Sequence, residues 1–578
     1  MEFSIQNTMW VLMGTALIFF MQAGFAMLEA GFTRTKNSGN IVMKNLMDFA
    51  CGSLVYLIIG YGLMYGIKSG GFIGKIDLFA MGNYDTGDIA GWAHLIFNTM
   101  FCATAATIVS GAMAERTKFK SYLICSIFIS AIIYPISASW VWGGGWLSKI
   151  CIGNATGYID LAGSSLVHMV GGICALVGAI FVGARSGKYK KNGDPRGIPG
   201  HNIVLSALGI FILWFGWFGF NGASIGDIST VEGIKDVSNI FLVTNTSAVA
   251  STIATMLFTW FRYGKPDIPM TLNGALAGLV SITAGAKVIE PWMACITGAL
   301  TGIIVVLAIE FIEKVLKVDD PVGAVGVHGF CGLFGALLPG LFSKENGLIT
   351  TGQWQQFAIQ LIGVLSIALW TAIAAIILFY CLKKTVGLRV TAKAELSGLD
   401  ISEHGLQMSY SDFLLPGTVA ELIDTDKSNN SQKDITNITP EMAIPVHIDP
   451  EMKDKMNKAK LTKVVIITRQ MKFGELKDAM NEIGVTGMTV MQVLGCGMQK
   501  GNLEYYRGAK VDTMQILPKI QVEMVISKVP VEKVINAAKK VLFTGHIGDG
   551  KIFVYDVKNA IKVRTGEEGY YALQGVDE

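Results

Sequence analysis

The first two thirds of the chain alternate long apolar runs with short polar segments. Eleven of these runs reach the ~20 residues that a helix needs to cross a bilayer. The pattern therefore predicts a mainly α-helical, polytopic membrane protein with eleven transmembrane helices. The runs lie near residues 8–30, 41–66, 91–113, 121–142, 161–184, 202–222, 239–261, 269–286, 291–312, 321–341 and 356–382.

The pattern changes after the eleventh run. Residues 424–441 are polar and poor in apolar side chains, which is typical of a flexible linker. Beyond residue 461 the periodicity predicts strands at 462–468, 487–494, 519–526 and 551–555, and helices at 473–483 and after Pro530. This βαβ–βαβ order predicts a C-terminal α+β domain of ferredoxin-like plan. We expect a membrane domain at 1–410, a linker at 411–460 and a soluble domain at 461–578.

Lys and Arg are concentrated in alternate loops of the membrane domain. The rich loops include those around Arg34, Arg116, Arg185 and Arg262 and the segment after Lys383. Because cytoplasmic loops carry the excess of positive charge, we expect the N-terminus outside and the C-terminal domain in the cytoplasm. Only 16% of the 578 residues are charged, which excludes an ordinary soluble protein, and a net charge of +3 gives no reason to expect nucleic acid as a partner.

His168 and His328 lie inside predicted membrane spans, where an ionisable side chain indicates a functional site. His168 and His328 follow Asp160 and Asp320 at the same offset, and glycines follow both histidines. A hydrogen-bonded core histidine would explain either one alone. The duplication instead predicts an internal repeat, spans 1–5 and an inverted copy in spans 6–10, with a shared site between them. Facing imidazoles could share a proton or bind a small polar solute.

Aromatic side chains are concentrated near these spans, at positions that include Phe101, Trp142 and Phe220. Together with the hydroxyl of Ser224, such residues could form a cage for a small cation through cation–π attraction. Singly, most of them could equally belong to an interfacial aromatic belt. Asp160 could act as a helix N-cap, and Asp320 is expected to be mainly a cap.

Several stretches resemble the ammonium transporter family (Amt/Rh/MEP) over residues 1–410. They are FCATAATIVSGAMAER (101–116), WVWGGGW (140–146), DLAGSSLVHMVGG (160–172), WFGWFGFNGAS (214–224), DDPVGAVGVHGFCG (319–332) and LDISEHG (399–405). The resemblance implies a homotrimer in the cytoplasmic membrane that conducts ammonium or ammonia, with no cofactor for transport.

The same resemblance assigns roles to individual residues. Trp142, Phe101 and Ser224 would form an external ammonium recruitment site, supported by the buried carboxylate of Asp160. Phe101 and Phe220 would be a stacked phenyl gate beneath it, and His168 and His328 the twin histidines of the pore. No metal site and no catalytic residue are expected.

The tail resembles the PII signal-transduction family over about 461–578. The matching stretches are GVTGMTV (484–490), QKGNLEYYRG (499–508), LPK (517–519), TGHIGDGKIFV (544–554) and VRTGEEG (563–569). The resemblance implies ATP or ADP, Mg²⁺ and 2-oxoglutarate as regulatory ligands. The residues implied to hold nucleotide phosphates are Gly548, Asp549, Gly550, Lys551 and Arg564. Gln499 and Lys519 would contact 2-oxoglutarate bound to Mg²⁺–ATP.

Residues 495–517 would form the long T-loop that free PII proteins insert into transporter pores, with Arg507 at its tip. The chain departs from the family pattern at Val511, where a modifiable tyrosine is usual, and at Met498 and Lys562, where arginines are common.

The sequence is compatible with two functions. One is a transporter with its regulator attached, and the other is an ammonium sensor whose tail signals to another protein. A nucleophile–base–orienter set that would indicate an enzyme is missing from the sequence.

Overall fold

The chain forms two compact units, Met1–Ser409 and Tyr410–Glu578. A computed structural model describes residues 3–66, 71–82, 84, 88–406, 461–485, 487–495, 504–506, 509–511, 517–545, 549–562 and 571–573. The predicted linker at 411–460 lies outside the described residues, so its boundaries stay a prediction.

The first unit is a bundle of apolar helices, which confirms the predicted mainly α-helical membrane fold. Within the described residues, ten helices are long and apolar enough to cross a membrane. An eleventh apolar helix, Ile268–Ile282, is shorter than the predicted run 269–286. Each of the eleven predicted runs corresponds to one of them. They are α1 Ile5–Phe32, α2 Thr35–Tyr65, α3 Gly91–Ala112, α4 Phe119–Ser139, α5 Ser164–Val182, α6 Ile203–Ile225, α7 Val231–Tyr263, α8 Ile268–Ile282, α9 Pro291–Val315, α10 Val325–Phe342 and α11 Gln355–Thr385. A small hairpin, β1 Cys151–Ile152 and β2 Ala155–Thr156, lies between α4 and α5.

Glycines allow α1 and α6, the first helices of the two predicted repeats, to pack closely. A methyl group on Gly24 would lie 2.9 Å from the carbonyl oxygen of Gly209, and one on Gly209 would lie 2.6 Å from that of Gly24. Small residues at such crossings are how membrane helices approach each other, since burial of apolar surface gives no advantage in lipid.

The helices that carry the histidines begin in the same way. Both open with a π-helical turn, at Ser164–Met169 in α5 and Val325–Phe330 in α10. Gly163 and Gly323 precede these turns with φ values of 102° and 81°, in the left-handed region that favours glycine. These matched features support an internal repeat, and its inverted order stays a prediction.

One end of the bundle, here called the arginine-rich end, is tied together by ion pairs. The Glu115 carboxylate pairs with Arg34 and lies 3.5 Å from Arg185, which in turn binds Asp319 at 2.8 Å. Two short helices, α12 Ala392–Ser397 and α13 Leu399–His404, dock at this end. Their anchor is Asp400, which accepts hydrogen bonds from the backbone N–H groups of residues 39 and 40 at 2.9 and 2.7 Å.

The second unit is a four-stranded antiparallel sheet with two helices, as the ferredoxin-like prediction requires. Its strands lie in the order 489–495, 517–526, 462–468 and 551–556, so the first and third strands of the motif along the chain are central. Val464, Ile466 and Val522 on the central strands are buried against Leu476 and Val534 of the helices. The elements are β3 Thr462–Thr468, α14 Phe473–Glu482, β4 Thr489–Gly495, β5 Glu504–Tyr506, β6 Ala509–Val511, β7 Leu517–Ile526, α15 Val531–Leu542 and β8 Lys551–Asp556.

Two short strands that the sequence pattern does not predict lie within the predicted long loop 495–517. They are β5 and β6, which pair antiparallel with Tyr506 opposite Ala509. Tyrosine and valine favour extended backbone, and the pairing of β5 with β6 satisfies backbone groups that would otherwise be left to water.

Candidate functional site

The two predicted histidines meet at the centre of the helical unit. The Nδ1 atoms of His168 and His328 lie 3.2 Å apart, so one ring donates a hydrogen bond and the other accepts it. The rings are stacked with centroids 5.2 Å apart, and both side chains are buried. His168 Nε2 has no hydrogen-bond partner among the described residues.

The meeting point depends on two glycines that follow the histidines. A methyl group on Gly172 would lie 2.2 Å from the backbone nitrogen of Gly329, directly after His328. A methyl group on Gly332 would lie 2.9 Å from the backbone nitrogen of Met169, directly after His168. Each repeat therefore places its glycine against the histidine turn of the other, and this close approach fixes the distance between the imidazoles.

Aromatic rings lie above the histidines, on the side away from the arginine-rich end. Phe101 of α3 and Phe220 of α6 are stacked, with ring centroids 4.2 Å apart and an interplanar angle of 27°. Both are buried, and Phe220 also contacts the His168 ring at 5.6 Å. The structure thus brings together the two side chains predicted to form a phenyl gate, directly beside the histidine pair.

Trp142 continues this column of rings outward. Its ring meets Phe101 edge-to-face at 5.7 Å, and its Nε1 donates a hydrogen bond of 2.8 Å to the backbone carbonyl of Asp160. Ser224 lies one helical turn beyond Phe220, where its hydroxyl donates to the Phe220 carbonyl at 2.7 Å. Trp142 and Phe101 therefore belong to one continuous column of rings that ends at the histidines, and Ser224 lies on the same helix as Phe220, which is also in that column.

Asp160 both caps α5 and orients the tryptophan. Its carboxylate accepts hydrogen bonds from the backbone N–H groups of residues 163–166 and from the hydroxyl of Ser165, while its carbonyl holds Trp142. Burial raises the pKa of this carboxyl, although these donors oppose the shift. Asp320 is a cap in the second repeat, accepting from the backbone N–H of residues 324 and 325. Burial raises the pKa of Asp320 to about 6.

Trp217, to which the sequence pattern assigns no role, belongs to the same site. Its ring stacks on His168 with centroids 5.0 Å apart, and its Nε1 donates to Thr283 at 2.9 Å. The helical spacing of positions 217, 220 and 224 places them on one face of α6 and could have indicated this role. Because α6 carries several other aromatic residues, that spacing does not stand out in the sequence.

In the second unit, Asp549, Gly550 and Lys551 line a cavity of about 390 Å³ together with Lys539 and Phe543. The Asp549 carboxylate accepts hydrogen bonds from the backbone N–H of Thr544 at 2.7 Å and of Gly545 at 3.2 Å, so it is held close to the end of α15. Gly550 has a φ of 118°, and a methyl group there would lie 2.2 Å from the carbonyl oxygen of Ile467.

Lys519 lies on β7, the strand that pairs with β4. The other predicted ligand-binding residues of this unit, Gln499, Gly548 and Arg564, lie outside the described residues, as does Arg507. Their roles stay predictions from the sequence.

Comparison with known proteins agrees with both parts of the chain. The family model described as Ammonium Transporter Family matches residues 9–409, and that of the nitrogen regulatory protein P-II matches residues 461–567. Ammonium transporter Amt2 of Archaeoglobus fulgidus is 44% identical over 425 residues, which cover 71% of this chain and 89% of the relative. Ammonium transporter Amt1 of Haloferax mediterranei is 41% identical, covering 71% and 80%.

Solved structures show the same fold. One named Sensor Amt Protein is 37% identical with a TM-score of 0.63, and the match covers 69% of this chain and 98% of that one. Mep2 of Candida albicans is 25% identical with a TM-score of 0.61, covering 70% and 91%. The chain therefore belongs to the ammonium transporter family and carries a C-terminal domain of the nitrogen regulatory protein P-II family.

Proposed function

We propose that this membrane protein conducts ammonium or ammonia across the cytoplasmic membrane through a twin-histidine pore. The observation that carries the proposal is the column Trp142–Phe101–Phe220–His168–His328, in which each ring contacts the next. Trp142 offers an aromatic face to a cation at the outer end, and the phenyl pair excludes hydrated ions. Beyond that pair, His168 Nε2 is a polar atom available to a small solute.

The residues of the second unit fit a regulatory nucleotide. Its cavity is within the range of small-molecule sites, and Lys539 and Lys551 supply positive charge beside the fixed turn at Gly550. We propose that ATP or ADP, with Mg²⁺ and 2-oxoglutarate, binds this unit and thereby regulates the pore. Arg507 on the loop between β4 and β7 would contact the pore in one ligand state. The protein would act as a homotrimer with the N-terminus outside and the P-II unit in the cytoplasm.

The experiment is transport in proteoliposomes, with electrical current on a solid-supported membrane and ¹⁵N-ammonium uptake measured on the same preparation. Saturable flux that changes on addition of ATP, ADP or 2-oxoglutarate from the side of the P-II unit supports a regulated transporter. Flux that is saturable but identical in every ligand condition contradicts regulation by the tail.

A sensor is the second candidate, favoured by the neighbour named Sensor Amt Protein, whose match covers 98% of that chain. A sensor would bind ammonium at the same aromatic site and transmit the binding to the P-II unit. Ammonium-dependent changes in nucleotide binding by the tail, without measurable flux, would favour the sensor over the transporter.

A further inference from the structure

A small cavity continues the pore beyond the histidines, toward the arginine-rich end. It has a volume of about 30 Å³ and is lined by His328, Phe25, Glu29, Thr107 and Val327, among others. A space of this size holds about two water molecules. Glu29, which the sequence pattern alone does not mark as functional, lines the same cavity as His328.

Glu29 is held in place by hydrogen bonds from two neighbouring helices. Its Oε1 accepts from the Ser110 hydroxyl at 2.7 Å, and its Oε2 accepts from the Asn45 amide at 2.9 Å. Asn45 in turn accepts from the Thr107 hydroxyl, at 3.0 Å, and Thr107 also lines the cavity. Glu29 is only 4% exposed, so these hydrogen bonds hold a buried carboxylate at the cavity wall.

Two more ionisable side chains lie behind Glu29 on α2. Lys44 Nζ lies 3.7 Å from Glu29 Oε1 and 4.9 Å from the centre of the Tyr122 ring. The Tyr122 hydroxyl donates a hydrogen bond to Asp48. Both Lys44 and Asp48 are fully buried, so the cluster Glu29–Lys44–Asp48 lies inside the bundle.

The cluster contains two carboxylates and one ammonium group. Lys44 Nζ and Asp48 Oδ1 have no hydrogen-bond partner among the described residues. The guanidinium of Arg116 donates to the carbonyls of Ala114, Gly183 and Asp319 and adds a second positive charge near Lys44. Because buried charges require compensation, Lys44 is the counterion of Glu29, and Glu29 is the member of the cluster that also lines the cavity.

We propose that Glu29 is a second cation-binding site of this pore, at which an ammonium ion in the cavity below His328 is bound before release. The inference rests on the proposed transport function. The cavity touches the cluster at Glu29, whose buried negative charge would attract an ammonium ion in a space of this size. Lys44 is a positioning residue: it fixes the carboxylate without reaching the cavity.

The test compares Glu29→Gln, the double variant Glu29→Gln/Lys44→Met and Glu345→Gln, an exposed carboxyl that serves as the control for charge removal. Ammonium-driven currents and ¹⁵N uptake are recorded in proteoliposomes, and melting temperatures establish that each variant is folded. We expect both Glu29 variants to lose flux at least tenfold, whereas the control retains the wild-type value. Glu29→Asp should recover part of the flux.

The double variant distinguishes ammonium binding by Glu29 from a purely structural role as the ion-pair partner of Lys44. If Glu29 serves only to balance the charge of Lys44, removing both charges restores wild-type flux, and that result would overturn the proposal. Wild-type flux in Glu29→Gln itself would overturn it as well. Replacement of the two histidines is run in parallel. If the histidine variant loses selectivity for ammonium while both Glu29 variants keep the wild-type flux, the cation site at Glu29 is ruled out and the proposed transport function stands. Absence of flux in the wild type defeats the proposed function and this site with it.

Discussion

At the scale of single residues, Trp142 has its orientation fixed from two directions. The indole N–H is held by the Asp160 carbonyl, and the ring edge contacts Phe101. A fixed aromatic face binds a cation without first losing side-chain freedom, and a cation–π contact contributes about 0.5–2 kcal/mol. The contribution of this residue to transport should therefore appear as affinity.

We accordingly expect Trp142→Leu to weaken the apparent affinity for ammonium about tenfold, since ~1.4 kcal/mol corresponds to a factor of ten. The measurement is the ammonium concentration that gives half-maximal current. Trp92→Leu is the matched control, because Trp92 is 69% exposed and should tolerate the change. Equal affinities in the two variants would remove Trp142 from the recruitment site.

Some of these residues can be predicted from the sequence and others cannot, for physical reasons. His168 and His328 stand out because an ionisable side chain in an apolar run is rare and the Asp offset is duplicated. Trp217 lies in a helix that is rich in aromatic residues, and Glu29 is ionisable but lies near a helix end and has no duplicated spacing to mark it. Their importance comes from contacts between distant segments, Trp217 with His168 and Glu29 with Ser110.

At the scale of elements, the close crossing of α5 and α10 determines the histidine geometry. We expect Gly172→Ala to force these helices apart, because its methyl group would lie 2.2 Å from the Gly329 backbone. Such overpacking typically costs about 1–3 kcal/mol, and transport should fall as the imidazoles separate. Gly197→Ala is the control, since nothing lies within 4 Å of that position. The readouts are melting temperature and flux, and unchanged values for Gly172→Ala would show that the crossing tolerates a side chain.

The ion pairs of the arginine-rich end form a second element that can be tested. Burial alone would raise the pKa of Asp319, but hydrogen bonds from Arg185 and the charge of Arg116 hold it at about 2. Because this value is below the ~3.9 of an unfolded chain, the carboxylate stabilises the fold above about pH 4. That stability is lost as the pH falls toward 2.

We expect Asp319→Asn to lower the free energy of unfolding at pH 7 by about 3–5 kcal/mol, since it removes the carboxylate that lies nearest to the buried guanidinium of Arg185. Thermal melting of the protein in detergent measures this effect, with the exposed Asp194→Asn as control. The difference between wild type and Asp319→Asn should shrink as the pH is lowered through 4. A difference that is independent of pH down to 2 would show that the charge of Asp319 does not contribute.

At the scale of the whole molecule, the chain joins a transporter and a P-II domain in one polypeptide. A tether keeps a regulator at high effective concentration near its target, so weak contacts can suffice for control. The sequence predicts the two folds well because each has its own periodicity, long apolar helices or short alternating strands. It does not predict the β5–β6 pairing, because three-residue strands carry too short a pattern.

The regulatory proposal gives a prediction at this scale. Arg507→Glu should change flux in at least one of the ATP, ADP and 2-oxoglutarate conditions, because the substitution reverses the charge that would contact the pore. Lys477→Glu, an exposed residue on α14, makes the same charge change elsewhere on the unit. If the two variants respond to the ligands in the same way as wild type, contact of Arg507 with the pore is ruled out, and signalling by the tail is favoured.

The proposed transport function requires ammonium or ammonia to pass the histidine pair. Replacement of both histidines tests this step. Ammonium and potassium currents are compared in wild type and in His168→Ala/His328→Ala, with melting temperature to establish folding. The two imidazoles are buried at the meeting point of the repeats, at the end of the column of rings. We predict a folded double variant that loses selective, saturable ammonium conduction. Ammonium currents with wild-type saturation and selectivity in that variant would contradict the account.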